Sequence, residues 1–293
     1  MIGRLVLVVV LLATAVLLPP SATRAPDAEL VRVQAGESVD AAQDVVWILA
    51  LGSDARPGEP VLRSRADAIQ LVGVNLRTGA ATVIGIPRDS YVDVPGYGRS
   101  KINSAMLYGG PQLMARSVAG MVGLTPDYVF TTSFLGLQAM VKQLGGVQVY
   151  SPFSWSLPVA KVRRGQNRLN GAEALAFARM RYELPGGDFD RSLDQGLLLL
   201  GGLRRVREIA DEPGTFERLV ASFLANTDVD LPPVELYRLA RAVLQVEPSK
   251  VTRCVVPGRT GSAGSASVVF ADVGKARSWT RRARADAALQ GGC

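Results

Sequence analysis

The spacing of apolar positions alternates along the chain between a strand-like and a helix-like period. Residues 45–51 form a short, continuous apolar run that ends at Gly52-Ser53-Asp54, a pattern typical of a strand covered on both faces. Two further β-rich runs, 68–76 and 81–86, are joined by residues 77–80 with a glycine in the turn, which predicts a hairpin. A hairpin in such a series indicates a mixed sheet.

Helical periodicity begins at residue 102 and reaches residue 122, with Gly109-Gly110-Pro111 in between, so two consecutive helices are predicted. The alternation then continues, with strands predicted at 128–132, 147–150, 251–256 and 267–270 and helices at 134–144, 170–179, 193–210, 214–226, 232–244 and 275–289. This order predicts an α/β fold, a three-layer α-β-α sandwich with a central mixed β-sheet. We expect residues 45–293 to form this one domain.

The first 22 residues have the character of a membrane anchor or signal segment. Arg4 precedes an apolar stretch, residues 5–18, which ends at Pro19-Pro20. Its 14 residues have signal-peptide length and fall short of the roughly 20 needed to span a bilayer, although the first three residues extend it to marginal spanning size. We favour a retained single-pass anchor over a cleaved signal of a secreted form. In both cases the domain is extracytoplasmic, and residues 23–44 are interpreted as a polar linker.

Histidine is absent from the 293 residues, which narrows the available chemistry. Without imidazole there is no Ser-His-Asp triad, no histidine metal ligand and no histidine base at neutral pH. The formal net charge is +7, and only five of the 33 basic residues are lysines, so guanidinium groups dominate the basic surface. The groups left for catalysis are carboxylates, guanidinium groups and a hard cation, and these suit phosphate chemistry.

The chain has two cysteines, Cys254 and Cys293. An even count in an exported chain fits one disulfide, and two free thiols are the alternative. Two cysteines without histidine do not make a four-ligand zinc site. Nucleic acid is not expected as a partner, because the chain is exported and shows no recognition helix or stacking motif.

Charged residues gather at one end of the predicted hairpin. Asp67 opens its first strand and Arg88-Asp89 close its second, so the hairpin brings these ends side by side. Arg191 and Gln195 are four residues apart near the start of a predicted helix and share one face. Each side chain alone is more typical of a solvated ion pair. Together they indicate an anion-binding site.

Nine short motifs stand in one order and resemble the LytR-CpsA-Psr family of Gram-positive cell-envelope proteins over roughly residues 45–200. The motifs are Gly52-Ser53-Asp54-Ala55-Arg56, Arg65-Ala66-Asp67, Gly85-Ile86-Pro87-Arg88-Asp89, Lys101-Ile102-Asn103-Ser104-Ala105, Tyr108-Gly109-Gly110, Leu144-Gly145-Gly146-Val147, Leu169-Asn170-Gly171, Ala178-Arg179-Met180-Arg181 and Gly187-Asp188-Phe189-Asp190-Arg191 with Gln195.

The resemblance implies a membrane-anchored, extracytoplasmic phosphotransferase (a ligase-type enzyme). Such an enzyme takes a glycopolymer carried on polyprenyl pyrophosphate and joins it to the C6 hydroxyl of N-acetylmuramic acid in peptidoglycan through a phosphodiester. The expected partners are therefore the lipid-linked glycopolymer, peptidoglycan and the membrane. Teichoic acid, arabinogalactan and capsule remain open as the polymer.

Site roles follow from the resemblance position by position. Asp54 and Asp67 would bind Mg²⁺, with Mn²⁺ as an alternative. Arg88, Asp89 and Arg181 would be catalytic, with Asp89 either the proton acceptor or part of a structural turn. The pyrophosphate would be held by Arg65, Arg88, Lys101, Asn103, Arg179, Arg181, Arg191 and Gln195, with Asp188 orienting an arginine.

Two alternatives from other functional classes stay open. One is a noncatalytic anchored module that binds polyanions or lipid phosphates, and the other is a hydrolase of polyprenyl pyrophosphates. The chain also departs from the family pattern at Asp194, where a basic residue usually precedes the glutamine. Apolar stretches at 118–122, 134–141 and 197–200 are predicted as core, or in part as the lining of a lipid tunnel.

Overall fold

A computed structural model of the chain describes residues 27–41, 44–56 and 58–293. The predicted anchor or signal segment, 1–22, lies outside these residues. Within the described ranges, no helix combines the length and the apolar character required to cross a bilayer.

The centre of the molecule is a seven-stranded sheet in the order β12-β1-β7-β2-β3-β4-β13. The strands are β1 (Ala28–Arg32), β2 (Val45–Ser53), β3 (Ala66–Asn75), β4 (Ala81–Gly85), β7 (Tyr128–Thr132), β12 (Thr227–Asp230) and β13 (Val251–Val255). Strand β3 pairs antiparallel with β2 and β4, whereas β2 runs parallel to β7 and β4 runs parallel to β13. The prediction of a mixed sheet containing a hairpin is confirmed.

Helices cover both faces of this sheet. They are α1 (Ser104–Val122), α2 (Phe134–Gln143), α3 (Gly171–Arg179), α4 (Asp188–Ala210), α5 (Thr215–Asn226), α6 (Pro233–Gln245) and α7 (Val273–Ala283). The face of β2 that carries Trp47, Leu49 and Leu51 joins the main core with α1 and α7. The opposite face carries Val46, which packs with residues of α6. The predicted three-layer α-β-α architecture is confirmed.

The remaining strands form four two-stranded ribbons: β5 (Tyr91–Val94) with β6 (Gly98–Lys101), β8 (Val147–Ser151) with β11 (Gly165–Leu169), β9 (Trp155–Leu157) with β10 (Ala160–Val162), and β14 (Gly258–Ala263) with β15 (Ala266–Ala271). The predicted strand at 147–150 therefore exists but pairs with β11 outside the central sheet. A second apolar core lies between β8–β11 and helices α3 and α4.

The prediction that residues 23–44 form only a linker is wrong for part of that segment. Strand β1 is an inner strand of the sheet, antiparallel to β7 and parallel to β12. Leu30 is buried in the core beside β7. The partner strands lie about 100 and 200 residues further along, so the local, polar composition of the segment gave no indication of pairing.

Two helices differ from their predicted bounds. Helix α4 begins at Asp188, five residues before the predicted start at 193. Gly187 has a φ of 56° and turns the chain into the helix. The Asp190 side chain supports this turn, because it accepts a hydrogen bond from the Gly186 N–H at 2.6 Å. Helix α7 spans 273–283 and ends six residues early. The predicted break in α1 is present, since Gly109 and Gly110 have non-helical dihedral angles.

Cys254 and Cys293 form a disulfide, with Cα atoms 5.7 Å apart. Of the two alternatives left open by the sequence, the bridged one is therefore present. Cys254 lies in β13, so the bridge attaches the last residue of the chain to an edge strand of the central sheet.

Candidate active site

The ends of the β3–β4 hairpin carry the first part of the site. Arg88 follows β4 and forms an ion pair with Asp67, as the hairpin topology predicts. The turn that presents Arg88 is closed by Ser90, whose N–H and hydroxyl both donate to the Pro87 carbonyl, at 3.0 and 2.6 Å. The guanidinium is thus held on a rigid turn beside a carboxylate.

Asp67 owes its position to an irregularity in strand pairing. Gly52 pairs with Ala68 and Ser53 pairs with Ala66, so Asp67 is the extra residue of a β-bulge. Bulges of this kind redirect a side chain at the end of a ladder. Asp54 follows directly on the opposite strand, which makes the two predicted metal ligands neighbours in backbone position.

Asp54 is fixed by reciprocal backbone contacts. Its Oδ1 accepts from the Arg65 N–H at 2.7 Å, and its own N–H donates to the Arg65 carbonyl at 2.9 Å. The second carboxylate oxygen makes no hydrogen bond with any residue in the described ranges. Asp67 likewise uses Oδ1 for Arg88. Each carboxylate thus retains an oxygen for a further ligand.

Lys101, Asp89 and Asp188 form the second part of the site. The Lys101 ammonium at the end of β6 lies 3.0 Å from an Asp89 carboxylate oxygen. Burial of Asp89 opposes its ionisation, but hydrogen bonds from Lys101 and Asp188 favour it. The charges of Lys101 and Arg88 act in the same direction, so the pKa of Asp89 lies below the ordinary aspartate value.

Asp188 titrates in the opposite direction. Burial raises its pKa, the charge of Arg191 opposes this, and the hydrogen bond and charge of Asp89 add to the rise. Carboxyl groups that share a hydrogen bond titrate as a pair. Asp89 is therefore the ionised member, and Asp188 is the member that takes up a proton first.

Asp188 also contacts two arginines. Its Oδ1 lies 3.0 Å from Arg191 and 3.9 Å from Arg181. Arg191 is buried, whereas Arg181 is half-buried and also contacts the ring of Tyr182, 4.5 Å from the ring centroid. Arg88 interacts electrostatically with both Asp188 and Arg191. Arg88, Lys101, Arg181 and Arg191 thus form one cluster with three carboxyl groups and an excess of positive charge.

Gln195 and Asn103 support this cluster. The Gln195 side-chain amide donates to the Asp67 carbonyl at 3.2 Å and to the Ala178 carbonyl at 3.1 Å, so it ties α4 to β3 and to α3. Asn103 is buried. Its N–H donates to the Arg88 carbonyl at 3.2 Å, and its carbonyl accepts from the Ala66 N–H at 3.3 Å. The Asn103 backbone therefore links the turn at Arg88 to the start of β3. Their predicted roles in substrate binding stay predictions.

Gln70 was missed by the sequence reasoning. It is buried within β3, and its amide donates to the Ser192 carbonyl at 2.9 Å and lies 3.5 Å from the Gln195 Oε1. It thereby fixes the first turns of α4 against the sheet. A polar amide inside an otherwise apolar strand was the available signal, since such groups are buried only with hydrogen-bond partners.

Arg65 and Arg179 lie outside the ion-pair cluster. Both are exposed, and neither forms an ion pair with another residue in the described ranges. The Arg179 guanidinium lies 4.5 Å from the centroid of the Phe134 ring on α2. Their predicted contacts with pyrophosphate are untested.

Asp194 is fully buried, and neither carboxylate oxygen has a hydrogen-bond partner among the described residues. Burial, and next the charge of Asp190, raise the pKa of Asp194 to about 8. Its carboxyl group is therefore mainly neutral at pH 7. The departure from the family pattern at this position adds no negative charge to the cluster.

Beside the cluster, one face of the sheet is incompletely covered. Along β2 the residues of the main core are fully buried, whereas Ile48, Ala50 and Gly52 on the other face are half-buried. Most apolar residues of α2, including Phe134 and Leu137, are also half-buried. In contrast, most of residues 118–122 belong to the main core. Leu197 and Leu198 belong to the second core.

The sequence model of the LytR_cpsA_psr family matches residues 21–284, most of the chain. This chain belongs to the LytR_cpsA_psr family. The resemblance drawn from the nine motifs is thereby confirmed.

Curated relatives match the chain in part. It is 33% identical over 168 residues to the polyisoprenyl-teichoic acid–peptidoglycan teichoic acid transferase TagU of Bacillus licheniformis, which covers 57% of this chain and 54% of that protein. It is 35% identical over 150 residues to the regulatory protein MsrR of Staphylococcus aureus, covering 50% of this chain and 44% of MsrR. The chain thus spans about half the length of the curated relatives it matches.

Solved structures of this family share the fold. TagU of Bacillus subtilis superimposes with a TM-score of 0.64 at 26% identity, covering 83% of this chain and 96% of that one. The family protein YwtF (TagT), solved with bound octaprenyl pyrophosphate lipid, gives a TM-score of 0.63 at 22% identity over 86% of this chain and 98% of that one.

Proposed function

We propose that this protein is an extracytoplasmic phosphotransferase that moves a glycopolymer from polyprenyl pyrophosphate to the C6 hydroxyl of N-acetylmuramic acid in peptidoglycan. The convergence of Arg88, Lys101, Arg181 and Arg191 on three carboxyl groups, those of Asp67, Asp89 and Asp188, is the observation that carries the proposal. Arginine forks and an ammonium group hold phosphate oxygens, and their excess charge suits a doubly charged pyrophosphate diester. The name of the B. licheniformis relative supports the same reaction class.

The reaction balances with one bond made and one broken. The acceptor hydroxyl oxygen attacks the phosphorus that carries the glycan, and the bond from that phosphorus to the bridging oxygen breaks. Polyprenyl phosphate leaves, and the glycan remains attached to the acceptor through a phosphodiester. Positioning and charge neutralisation account for most of the catalysis of such transfers. In this proposal Arg88 and Arg191 stabilise the charge that develops on the phosphate oxygens.

Asp89 is the carboxylate assigned to accept the hydroxyl proton. It remains ionised because Lys101 and Asp188 hold its pKa low. A low pKa makes a weak base, and a loose phosphoryl-transfer transition state tolerates this, since the hydroxyl loses its proton late. The ion pair with the Lys101 ammonium also keeps the Asp89 carboxylate in position.

Mg²⁺ is proposed as the cofactor, with Mn²⁺ as a substitute. Among the described residues, no group of three or more acidic or cysteine side chains could hold a metal ion by itself. This fits a cation that uses one or two carboxylates plus substrate phosphates, and Asp54 and Asp67 each offer an oxygen. When bound, the ion would neutralise charge on the pyrophosphate.

The half-buried sheet face formed by Ile48, Ala50 and Gly52 is proposed to receive the polyprenyl chain. It adjoins the strand ends that carry Asp54 and Asp67, so a lipid lying on it would present its pyrophosphate to the cations. An apolar chain on this face would bury the apolar surface of Ile48 and Ala50 that α2 leaves partly exposed to water. The amino-terminal segment would keep the protein at the membrane where this donor resides.

The test is incubation of the full-length protein with a polyprenyl-pyrophosphate glycan, Mg²⁺ and soluble peptidoglycan fragments. A glycan-muropeptide conjugate supports the proposal. Free phosphorylated glycan would instead indicate a hydrolase, and unchanged donor a noncatalytic binding module. Arg88→Ala and Arg181→Ala should abolish conjugate formation. Arg77→Ala is the matched control, because Arg77 is an exposed arginine at the far end of the hairpin that pairs with Asp44.

A further inference from the structure

Two exposed tyrosines stack on each other next to the active site. The rings of Tyr97 and Tyr108 lie 4.7 Å apart with an interplanar angle of 15°. Tyr97 is 56% exposed and Tyr108 is 38% exposed, and the Tyr97 hydroxyl donates to the Tyr108 carbonyl at 3.3 Å. This pair is named the tyrosine platform here. We propose that the platform binds a pyranose ring of the glycan substrates, an inference that rests on the proposed function.

The backbone holds the platform rigidly. Tyr97 occupies the turn between β5 and β6, and the glycines on either side of it, Gly96 and Gly98, have φ of 84° and 72°. Its N–H donates to the Val94 carbonyl at 2.9 Å, which closes the turn. Tyr108 lies on the first turns of α1, just before the kink at Gly109. A prearranged aromatic surface loses little conformational entropy when a ligand binds.

Both elements lead from the platform directly to the reacting cluster. Tyr97 precedes Lys101 by four residues along β6, which corresponds to about 13 Å of strand. Tyr108 follows Ser104 by four residues, which corresponds to about 6 Å of helix. Lys101 in turn contacts Asp89 at 3.0 Å. A short oligosaccharide with one sugar at the cluster would therefore reach the platform with another.

The exposed ring faces suit a sugar. An aromatic face carries partial negative charge, which attracts the polarised C–H groups of a pyranose ring. The neighbouring Tyr91 differs, because Arg99 covers its ring at 4.7 Å from the centroid. Within the described ranges, the rings of Tyr97 and Tyr108 have no stacking partner other than each other.

The test measures binding without turnover, by calorimetry on the full-length protein in detergent and without Mg²⁺. One ligand is a soluble disaccharide-peptide fragment of peptidoglycan, which represents the acceptor. The second is polyprenyl pyrophosphate carrying one N-acetylhexosamine, which represents the donor glycan, and the third is the same lipid without sugar. The proteins are wild type, Tyr97→Leu, Tyr108→Leu, Tyr97→Phe and the control Tyr150→Leu, since Tyr150 is an exposed tyrosine on β8 away from the site.

We expect Tyr97→Leu and Tyr108→Leu to weaken binding of at least one sugar-bearing ligand by about tenfold, the scale of one aromatic stacking contact. Tyr97→Phe and Tyr150→Leu should bind as wild type does, and all five proteins should bind the sugar-free lipid equally. The ligand that is affected identifies the source of the sugar. The inference is overturned if both leucine variants bind both glycans normally, if they lose the sugar-free lipid equally, or if wild type binds neither glycan. Failure of the proposed function would appear differently, as glycan binding without conjugate formation by wild type.

Discussion

The Lys101 ammonium lies 3.0 Å from an Asp89 carboxylate oxygen, at the point where β6 meets the turn after β4. The contact follows from strand register, because Lys101 pairs with Tyr91, which stands two residues after Asp89. It makes Lys101 the cation that holds the proposed base in its ionised form.

Replacement of Lys101 by methionine should move the acid limb of the transfer pH profile to higher pH. Loss of the Lys101 charge removes an interaction that lowers the pKa of Asp89, and burial of the carboxylate then raises that pKa. Because transfer requires ionised Asp89, activity should fall at a higher pH than in wild type. The profile of kcat against pH measures this, with Lys142→Met, an exposed lysine on α2, as control. An unshifted limb would exclude Asp89 as the base.

Asp54→Asn should weaken metal binding while preserving the fold, since the amide oxygen still accepts the Arg65 N–H. We expect the affinity for Mn²⁺, measured by electron paramagnetic resonance with soluble pyrophosphate present, to fall by about 10- to 100-fold. Transfer should fall with it. Asp211→Asn, at an exposed aspartate beyond the end of α4, should leave both unchanged. Equal Mn²⁺ binding by the Asp54 variant and wild type would remove Asp54 from the metal site.

Asp194→Asn should stabilise the protein more at pH 8 than at pH 5. The pKa of Asp194 is raised to about 8 in the folded state, while an unfolded aspartate titrates near 3.9. Between these values the folded state binds more protons, so the contribution of this group to stability declines as pH rises. The increase in the free energy of unfolding should be larger at pH 8 than at pH 5 by on the order of 3 kcal/mol. Urea unfolding of both proteins at the two pH values measures this difference. The same gain at each pH would show that the buried carboxyl is not protonated.

Cys293→Ser should lower the free energy of unfolding by about 4 kcal/mol, because the bridge to Cys254 closes a loop of 39 residues. Wild type in reducing buffer should show the same loss, and the variant should not respond to the reductant. Urea unfolding with and without dithiothreitol measures both effects. A wild type unaffected by reduction would mean that the bridge adds nothing to stability.

Local patterns predicted most of the fold, and long-range pairing accounts for what they missed. The β3–β4 hairpin and the Asp67–Arg88 contact could be predicted because both follow from a short turn between neighbouring strands. Strand β1 could not, because its partners are about 100 and 200 residues away. The start of α4 was placed too late, since the turn at Gly187 has no apolar periodicity.

Within the candidate site, the sequence motifs supplied the candidate residues but not how they pair. The Lys101–Asp89 contact depends on the register of a ribbon whose strands have only four residues each. The supporting role of Gln70 depends on hydrogen bonds to a helix more than 120 residues away. The departure from the family pattern at Asp194 could be read from the sequence, but the burial that raises the pKa of Asp194 to about 8 could not.

The break in α1 at Gly109 and Gly110 divides that helix into two parts that both pack on the main core. The first part buries Ala105 and Met106 there and also carries the exposed Tyr108, whereas the second contributes Leu113, Met114 and Val118. Interrupted hydrogen bonding between them means that a shift in one part is not imposed on the other. Substitutions around Tyr108 can therefore change the surface of the proposed glycan site while the second part of α1 and the core beneath it stay in place.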